Sequence, residues 1–403
     1  MNWHESLCCR ICGGPIEDVL SLGNQCLAGQ FPTPAEADPP AFPLTLAYCR
    51  GSCGLTQLRH TISGELLYRN YWYRSGISQT MKTHLRKLAD ESLEILGHPV
   101  GISILDIGGN DGTLLSYFSA SNNRTLIDPC QNDWGPEAQA RSHINRIRGF
   151  FPQNLPLHSG PYDLIFSVAC FYDVDNPIVF AQKVREHLCD DGLWCCEVAD
   201  LSVMVATGAY DQICHEHVTY FDWWTFASVL ARAEMRVVNL SFNGCNGGSI
   251  RFWCARQTCT KYNRFTGWFD KLNPLPTGKP ALLAFKDKVQ KHRLALREYV
   301  LNAEKAGKVI HLLGASTKMN TVLQYCQLDV PFASDRDPRK HGRETPGTRI
   351  AIISEEDSRQ LKPDIYLCPL HGFREEIIQR EQEFLKAGGK IVFLFPDVEE
   401  VSG

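Results

Sequence analysis

The sequence predicts an α/β protein, with two α/β units behind a small cysteine-rich module. Three observations predict this. Short apolar runs such as GISILDIGG and PYDLIFSV end in turn signals. They alternate with amphipathic segments such as NPIVFAQKVREHL, the pattern of buried parallel strands joined by helices. The alternation restarts after residue 306, with strand ends in KVIHLLGA, VPFASDRDP, PDIYLCPL and KIVFLFP. Ahead of both, two cysteine pairs flank an insert punctuated by Pro and Gly.

The 403 residues exceed one ordinary core and call for two or three domains. Net charge is −4 with both signs interspersed, so no basic field attracts nucleic acid or an anionic membrane. No apolar run approaches the roughly 20 residues that span a bilayer. The start, MNWHESLCCR, has no apolar core of a secretory signal. Seventeen cysteines in such a chain are expected as reduced thiols or metal ligands, in a cytoplasmic protein.

In the module, CCRICGG supplies Cys9 and Cys12, and CRGSCGL supplies Cys49 and Cys53. Both spacings suit tetrahedral zinc, and the following glycines let the backbone turn its amides toward sulfur. Four protein ligands leave no open position, so this zinc is expected to be structural. Cys8 competes with Cys9 as a ligand, and four free thiols are the plainer reading.

In the first α/β unit, ILDIGGNDGTLLSYF reads as strand, glycine turn and helix start. Gly108, Gly109 and Gly112 let a ligand lie against the backbone. The dinucleotide fingerprint is absent, because Asn110 stands where its second glycine is needed. S-adenosylmethionine has no phosphates and suits such a turn. Asp128, at the end of RTLID, can accept from ribose hydroxyls, while Asp106, Asn110 and Asp111 can meet the amino-acid end. The plainer reading is a tight turn with Asp128 as a cap. Glu197, at the end of GLWCCEVAD, is expected in the same cleft, since ligands of open α/β sheets sit at carboxyl strand ends.

The stretch QICHEHVTYFDWW places Glu216 between His215 and His217. A histidine suits proton abstraction from carbon, because its reference pKa of about 6.5 leaves it largely neutral. Two histidines two residues apart on a strand could bind metal, but no third ligand is signalled. A core histidine among aromatics is the bland alternative.

A polar, Pro-containing stretch at 273–280 leads into a helix expected from Ala281 to about Ala306. In the second unit, HLLGASTKMNTVL fits neither the dinucleotide nor the Walker pattern. Ser316, Thr317 and Lys318 at a helix start form an anion site, suited to a diphosphate. Lys340 and Arg251, the latter in GGSIRF, are further candidate cations. A solvated lysine and an ion-paired arginine are the alternatives.

Together the Cys-x2-Cys…Cys-x3-Cys-Gly-Leu module, YWYRSG, DIGGNDGTLL, CHEHVTYF, NGGSIRF, LLGASTKMN, SDRDPRKHG with TPGT, and GFREEIIQRE with GGKIV resemble one family nearly end to end. These are the three-domain sugar C-methyltransferases of deoxysugar and antibiotic biosynthesis. The resemblance implies a zinc-binding domain at 1–80. It implies a Rossmann-like S-adenosylmethionine methyltransferase domain at 81–272 and a second Rossmann-like, substrate-binding domain at 273–403. It implies methylation of a carbon alpha to the ketone of a nucleotide-linked (dTDP-like) 4-keto-deoxysugar through an enolate. His217 is then the base, with Glu216 beside it.

Tyr73 and His215, with Tyr71 and Tyr220, are candidate donors to the oxyanion. Tyr71, Glu197, Arg251, Lys318, Asn320 and Lys340 are the expected substrate contacts. A monomer or homodimer is expected. Two positions depart from the family pattern: Cys214 replaces a usual Tyr, and His371-Gly372 replaces Trp-Asn. They motivate a second reading, a C- or O-methyltransferase of the same fold acting on a non-sugar intermediate. A third is a non-catalytic nucleotide-sugar-binding protein.

Overall fold

The computed structural model describes residues 2–131, 143–263, 275–369 and 373–403. The departure at His371-Gly372 and the expected boundary at 272/273 lie outside the described residues.

The N-terminal sheet is antiparallel. Ile16–Cys26 pairs with Ala41–Cys49, and this with Thr56–Leu58. Its fourth strand, Thr219–Tyr220, comes from far along the chain and pairs with Thr56–Leu58. The Leu58 N–H also donates to the Val218 carbonyl at 2.9 Å. The His-Glu-His segment is thereby stitched to the N-terminal module.

The central sheet has seven strands. Ser103–Ile107 is flanked by Asn123–Asp128 and then Asn145–Arg148 on one side. On the other side lie Tyr162–Val168 and then Leu188–Ala199, all parallel. Ser249–Arg256 joins antiparallel, and Met235–Asn243 forms the edge. Ile104, Leu105, Leu164, Ile165 and Phe166 are fully buried, as parallel strands covered on both faces require. The strand order reverses between Ser103–Ile107 and Tyr162–Val168, so a ligand crevice opens at their carboxyl ends.

The C-terminal sheet runs Ala351–Ser354, Phe332–Asp335, Ile310–Leu313, Ile365–Cys368, Lys390–Phe393, Glu399–Ser402. Numbered along the chain this is the doubly wound order, with the last strand antiparallel. Four strands fall where the sequence placed them. Exposed Glu399–Ser402 carries too little apolar pattern to be read in advance, whereas Ala351–Ser354 is a short apolar run, AIIS, that sequence reasoning missed.

The long helix spans Lys279–Lys305, with Pro280 in its first turn where a missing N–H costs nothing. Leu282, Phe285, Val289, Leu296 and Val300 are buried on one face. Each contributes about 1.5–3 kcal/mol. They share one core with Leu20, Leu22 and Leu46 of the N-terminal sheet and Ile310 and Leu312 of the C-terminal sheet. Among the described residues, no helix is long and apolar enough to cross a membrane.

Candidate active site

The N-terminal module gathers its four predicted sulfurs. Cys9 Sγ lies 3.3 Å from Cys53 Sγ, and Cys12 Sγ lies 3.4 Å from Cys49 Sγ. Cys53 Sγ stands 3.5 Å from that of Cys12 and 3.7 Å from that of Cys49. Thiolates at ~2.3 Å from a tetrahedral zinc are about 3.8 Å apart, so the cluster fits the ion with slight relaxation. The N–H of Ile11 points at Cys9 Sγ at 3.4 Å and that of Gly51 at Cys49 Sγ at 3.2 Å, as a charged thiolate prefers. Cys8 is exposed and outside the cluster.

At the crevice, Ser103–Ile107 runs into a turn that needs glycine. Gly108 has φ +69°, and a Cβ on Gly109 would stand 2.6 Å from Asp106 Oδ2. Asp128 ends the next strand. One of its oxygens accepts the Asn110 N–H at 2.9 Å and the other the Cys130 N–H at 2.8 Å. Each oxygen keeps a further lone pair. Burial, then the charges of Asp128 and Asp111, raise the proton affinity of Asp106. Hydroxyl donors and a cationic ligand suit this acceptor-rich pocket, so the groups present fit S-adenosylmethionine.

Asn110 and Asp111 have other partners. Asn110 Oδ1 accepts the Ser75 N–H at 3.1 Å, and its Nδ2 donates to the Tyr73 carbonyl at 2.9 Å. Asp111 accepts the Gly76 N–H at 2.9 Å. Both pin the YWYRSG loop to the glycine turn. Replacing Asp128 with Ala removes a charged acceptor, and such bonds are worth roughly 1.5–3 kcal/mol. Calorimetry should show S-adenosylmethionine affinity falling at least about tenfold.

Residues Cys214 to His217 form a turn closed by the His217 N–H on the Cys214 carbonyl at 3.1 Å. His217 Nδ1 lies 2.9 Å from the Gln212 carbonyl. A carbonyl only accepts, so Nδ1 carries the hydrogen and Nε2 keeps its lone pair. Burial, and second the Lys318 charge, push this imidazole down to about 3, which keeps it neutral.

Its ring packs 4.2 Å from that of Tyr172, in the short turn Phe171–Asp173. Cys170, just before that turn, packs on Gly108, where a Cβ would stand 3.0 Å from the Cys170 Cβ. One short turn thus links His217 to the glycine turn. A cavity of about 10 Å³ is lined by Tyr172, Gln212, His217 and Tyr220. A larger hollow of about 650 Å³ at Trp3, His4 and Phe42 holds none of these groups.

Glu216 is buried, and its Oε2 has no hydrogen-bond partner among the described residues. The Tyr68 hydroxyl donates to its backbone carbonyl at 3.1 Å. Its side chain lies against Gly29, where a Cβ would stand 2.9 Å from Oε1. The Cys214 thiol bonds the same carboxyl. Asp173 Oδ1, Gln212 Oε1 and Asn320 Oδ1 are also buried without partners. Asp173 and Glu216 face each other electrostatically, and burial first, then Glu216, raises Asp173 well above the usual carboxylate range. Asn320 Nδ2 donates to the carbonyl of Ala28, next to Gly29, at 2.7 Å. Four buried polar side-chain atoms around His217 and Gly29 therefore lack partners among the described residues.

The remaining candidates separate. His215 turns away: its Nε2 donates to the Phe42 carbonyl at 3.2 Å, and it does not share a face with His217. Burial pushes it down to about 4. Tyr71 packs edge-on to Tyr68, with ring centroids 5.9 Å apart, and burial, then Glu216 and Asp173, raise its hydroxyl. Tyr73 is 46% exposed. Tyr220 is buried, with its hydroxyl 3.5 Å from the Gln212 carbonyl.

Lys318 donates to the neutral Asn246 carbonyl at 3.1 Å. Lys340 is bonded to the Ala315 carbonyl at 2.7 Å and to Asp335 at 2.9 Å. Glu197 and Arg251 stand opposite in register, and Arg251 Nε donates to Glu197 Oε2 at 2.8 Å. Arg251 also meets Glu91, so it is a buried ion-paired arginine.

Sequence reasoning missed Asp173, Gln212, Tyr68 and Tyr172. Asp173 follows the strand Tyr162–Val168, and the carboxyl-end rule used for Glu197 would have found it.

His215 and His217 are held neutral in the fold, so the unfolded chain binds more protons between their folded values and about 6.5. Their contribution to stability is present above pH ~6.5 and lost as pH falls toward 4. Melting temperature should fall over that interval, and less so in His215→Asn.

Three sequence profiles match the chain in succession. They are a zinc binding domain over residues 9–68, a methyltransferase domain over 80–240, and a C-methyltransferase C-terminal domain over 244–396. The last begins before Ser249–Arg256, so it includes a strand of the central sheet. The C-methyltransferase NovU of Streptomyces niveus is 29% identical over 407 residues, covering 98% of this chain and 96% of its own.

Two solved structures align with less than half of the chain. The 1,6-didemethyltoxoflavin-N1-methyltransferase of Burkholderia thailandensis is 14% identical, covering 44% of this chain and 80% of that one, with a TM-score of 0.36. The magnesium protoporphyrin IX methyltransferase of Synechocystis PCC 6803 is 12% identical, covering 45% and 88%, with a TM-score of 0.36.

Proposed function

We propose, from the premise that this chain is a three-domain S-adenosylmethionine-dependent C-methyltransferase, that it methylates the carbon beside the ketone of a nucleotide-linked 4-keto-deoxysugar. One observation carries the reading. Glu216 Oε2, Asp173 Oδ1, Gln212 Oε1 and Asn320 Oδ1 are buried polar atoms without partners among the described residues, grouped around His217 and Gly29. A sugar brings hydroxyl donors. An apolar substrate would leave each acceptor unsatisfied, at about 1–3 kcal/mol apiece.

His217 Nε2 takes the proton from the carbon alpha to the ketone, while its Nδ1–H stays on the Gln212 carbonyl. The Tyr71 and Tyr73 hydroxyls are the donors for the oxygen that becomes negative. S-adenosylmethionine supplies an electrophilic methyl group on a sulfonium. Lys318 and the amides at the start of helix Thr317–Cys326 hold the diphosphate.

The domain limits are set at 1–80, 81–272 and 273–403, in a cytoplasmic monomer or homodimer. Lys318→Ala should raise KM for the sugar nucleotide about tenfold or more and change kcat little, because a phosphate contact binds ground and transition states alike. The test of function is product analysis with S-adenosylmethionine and a panel of thymidine diphosphate keto sugars. The expected product carries a new carbon-bound methyl. Turnover of non-sugar ketones alone would replace the reading.

A further inference from the structure

One cluster has no part in the chemistry above. The hairpin tip between Met235–Asn243 and Ser249–Arg256 carries the half-buried Cys245. Its Sγ, a ring nitrogen of His84 and a carboxylate oxygen of Glu197 lie within 4.8 Å of one another. His84 Nε2 is 2.7 Å from Glu197 Oε1. Glu197 Oε2 is held by Arg251 Nε at 2.8 Å and Asn243 Nδ2 at 3.0 Å. The carboxylate cannot turn away, so it fixes the imidazole beside the sulfur. A thiol, an imidazole and an orienting carboxylate are the parts that make cysteine nucleophilic. A metal fits the same groups less well. Arg251 Nη2 sits 3.3 Å from His84 Nε2, so a divalent ion there would face a fixed guanidinium.

We propose that Cys245 is a reactive thiol at the edge of the substrate cleft, a modification site for electrophiles such as hydrogen peroxide. The thiolate attacks one peroxide oxygen. The S–O bond forms, the O–O bond breaks, and the electron pair leaves on hydroxide, which takes a proton from the His84 imidazolium and departs as water. Sulfur is oxidised to sulfenic acid and the peroxide is reduced. Burial opposes a charge on His84, but its bonds to Cys245 and Glu197 outweigh this and push it up to about 9.

The tip is also a wall of the cleft. The Asn246 carbonyl accepts Gln212 Nε2 at 2.6 Å and Lys318 Nζ at 3.1 Å. Oxidation next to it disturbs both side chains, so turnover falls as sulfenic acid forms.

The test is alkylation of the zinc-loaded enzyme by iodoacetamide at pH 7, mapped by peptide mass. Cys245 should react at least about tenfold faster than the exposed Cys8. His84→Gln should remove the advantage. If that variant does not fold, the wild-type protein treated with hydrogen peroxide decides: dimedone should label Cys245 before Cys8. Reaction at the Cys8 rate, or labelling of Cys8 first, overturns the proposal. So does a second equivalent of zinc that shields Cys245.

Discussion

His217→Ala should lose methyl transfer by about 10²–10⁴-fold while still binding S-adenosylmethionine. The imidazole is already placed for one task. Its Nδ1–H is committed to the Gln212 carbonyl, and Nε2 is left as a base. Cys170 and Tyr172 join the glycine turn to the imidazole, and the bonds that hold Asp128 come from the Asn110 and Cys130 amides. Cofactor affinity should therefore stay within about threefold of wild type, and the loss should fall on kcat. His217→Gln should be no better, since an amide fills the space but takes no proton. His215→Asn should keep most activity, because that ring serves the Phe42 carbonyl. Equal losses in the two histidine variants would reassign the base.

Removing zinc, by a chelator or by Cys49→Ser, should abolish turnover although the ion takes no part in the reaction. Structural zinc contributes on the order of 10–16 kcal/mol in small domains, comparable with the entire stability of most proteins. Here the damage spreads by named contacts. The strand Thr56–Leu58 pairs with Thr219–Tyr220, which directly follows the His217 turn. Gly29 and Tyr68, from the same module, touch Glu216. Loss of the cluster frees the segment that carries His217. The expected result is one zinc per chain in the native protein, and methyl transfer reduced at least about 10²-fold without it. S-adenosylmethionine binding to the central sheet should survive. Full activity in a zinc-free variant would separate the module from catalysis.

The α/β architecture was legible because buried parallel strands read as apolar runs ending at glycine or acid, as ILDIGG and RTLID do. The four zinc ligands were legible because knuckle spacing is local. The sharing of elements was not. Thr219–Tyr220 is a two-residue strand that carries no periodic signal, yet it joins the His-Glu-His segment to the first sheet. Nor can one sequence show that Glu197 faces Arg251, since register across two strands depends on the hairpin between them. That pairing occupies a cation which reads, in isolation, as a phosphate contact. The unpartnered acceptors Gln212 and Asn320 are ordinary polar residues until burial singles them out.

The most direct measurement separates proton removal from methylation. The enzyme is held with S-adenosylhomocysteine and a 4-keto sugar nucleotide in deuterium oxide, and proton NMR follows the carbon beside the ketone. Wild type should wash deuterium into that position, and His217→Ala should not exceed the rate in buffer. Unchanged wash-in by His217→Ala, or none by wild type that still methylates the same carbon, would contradict an imidazole-generated enolate.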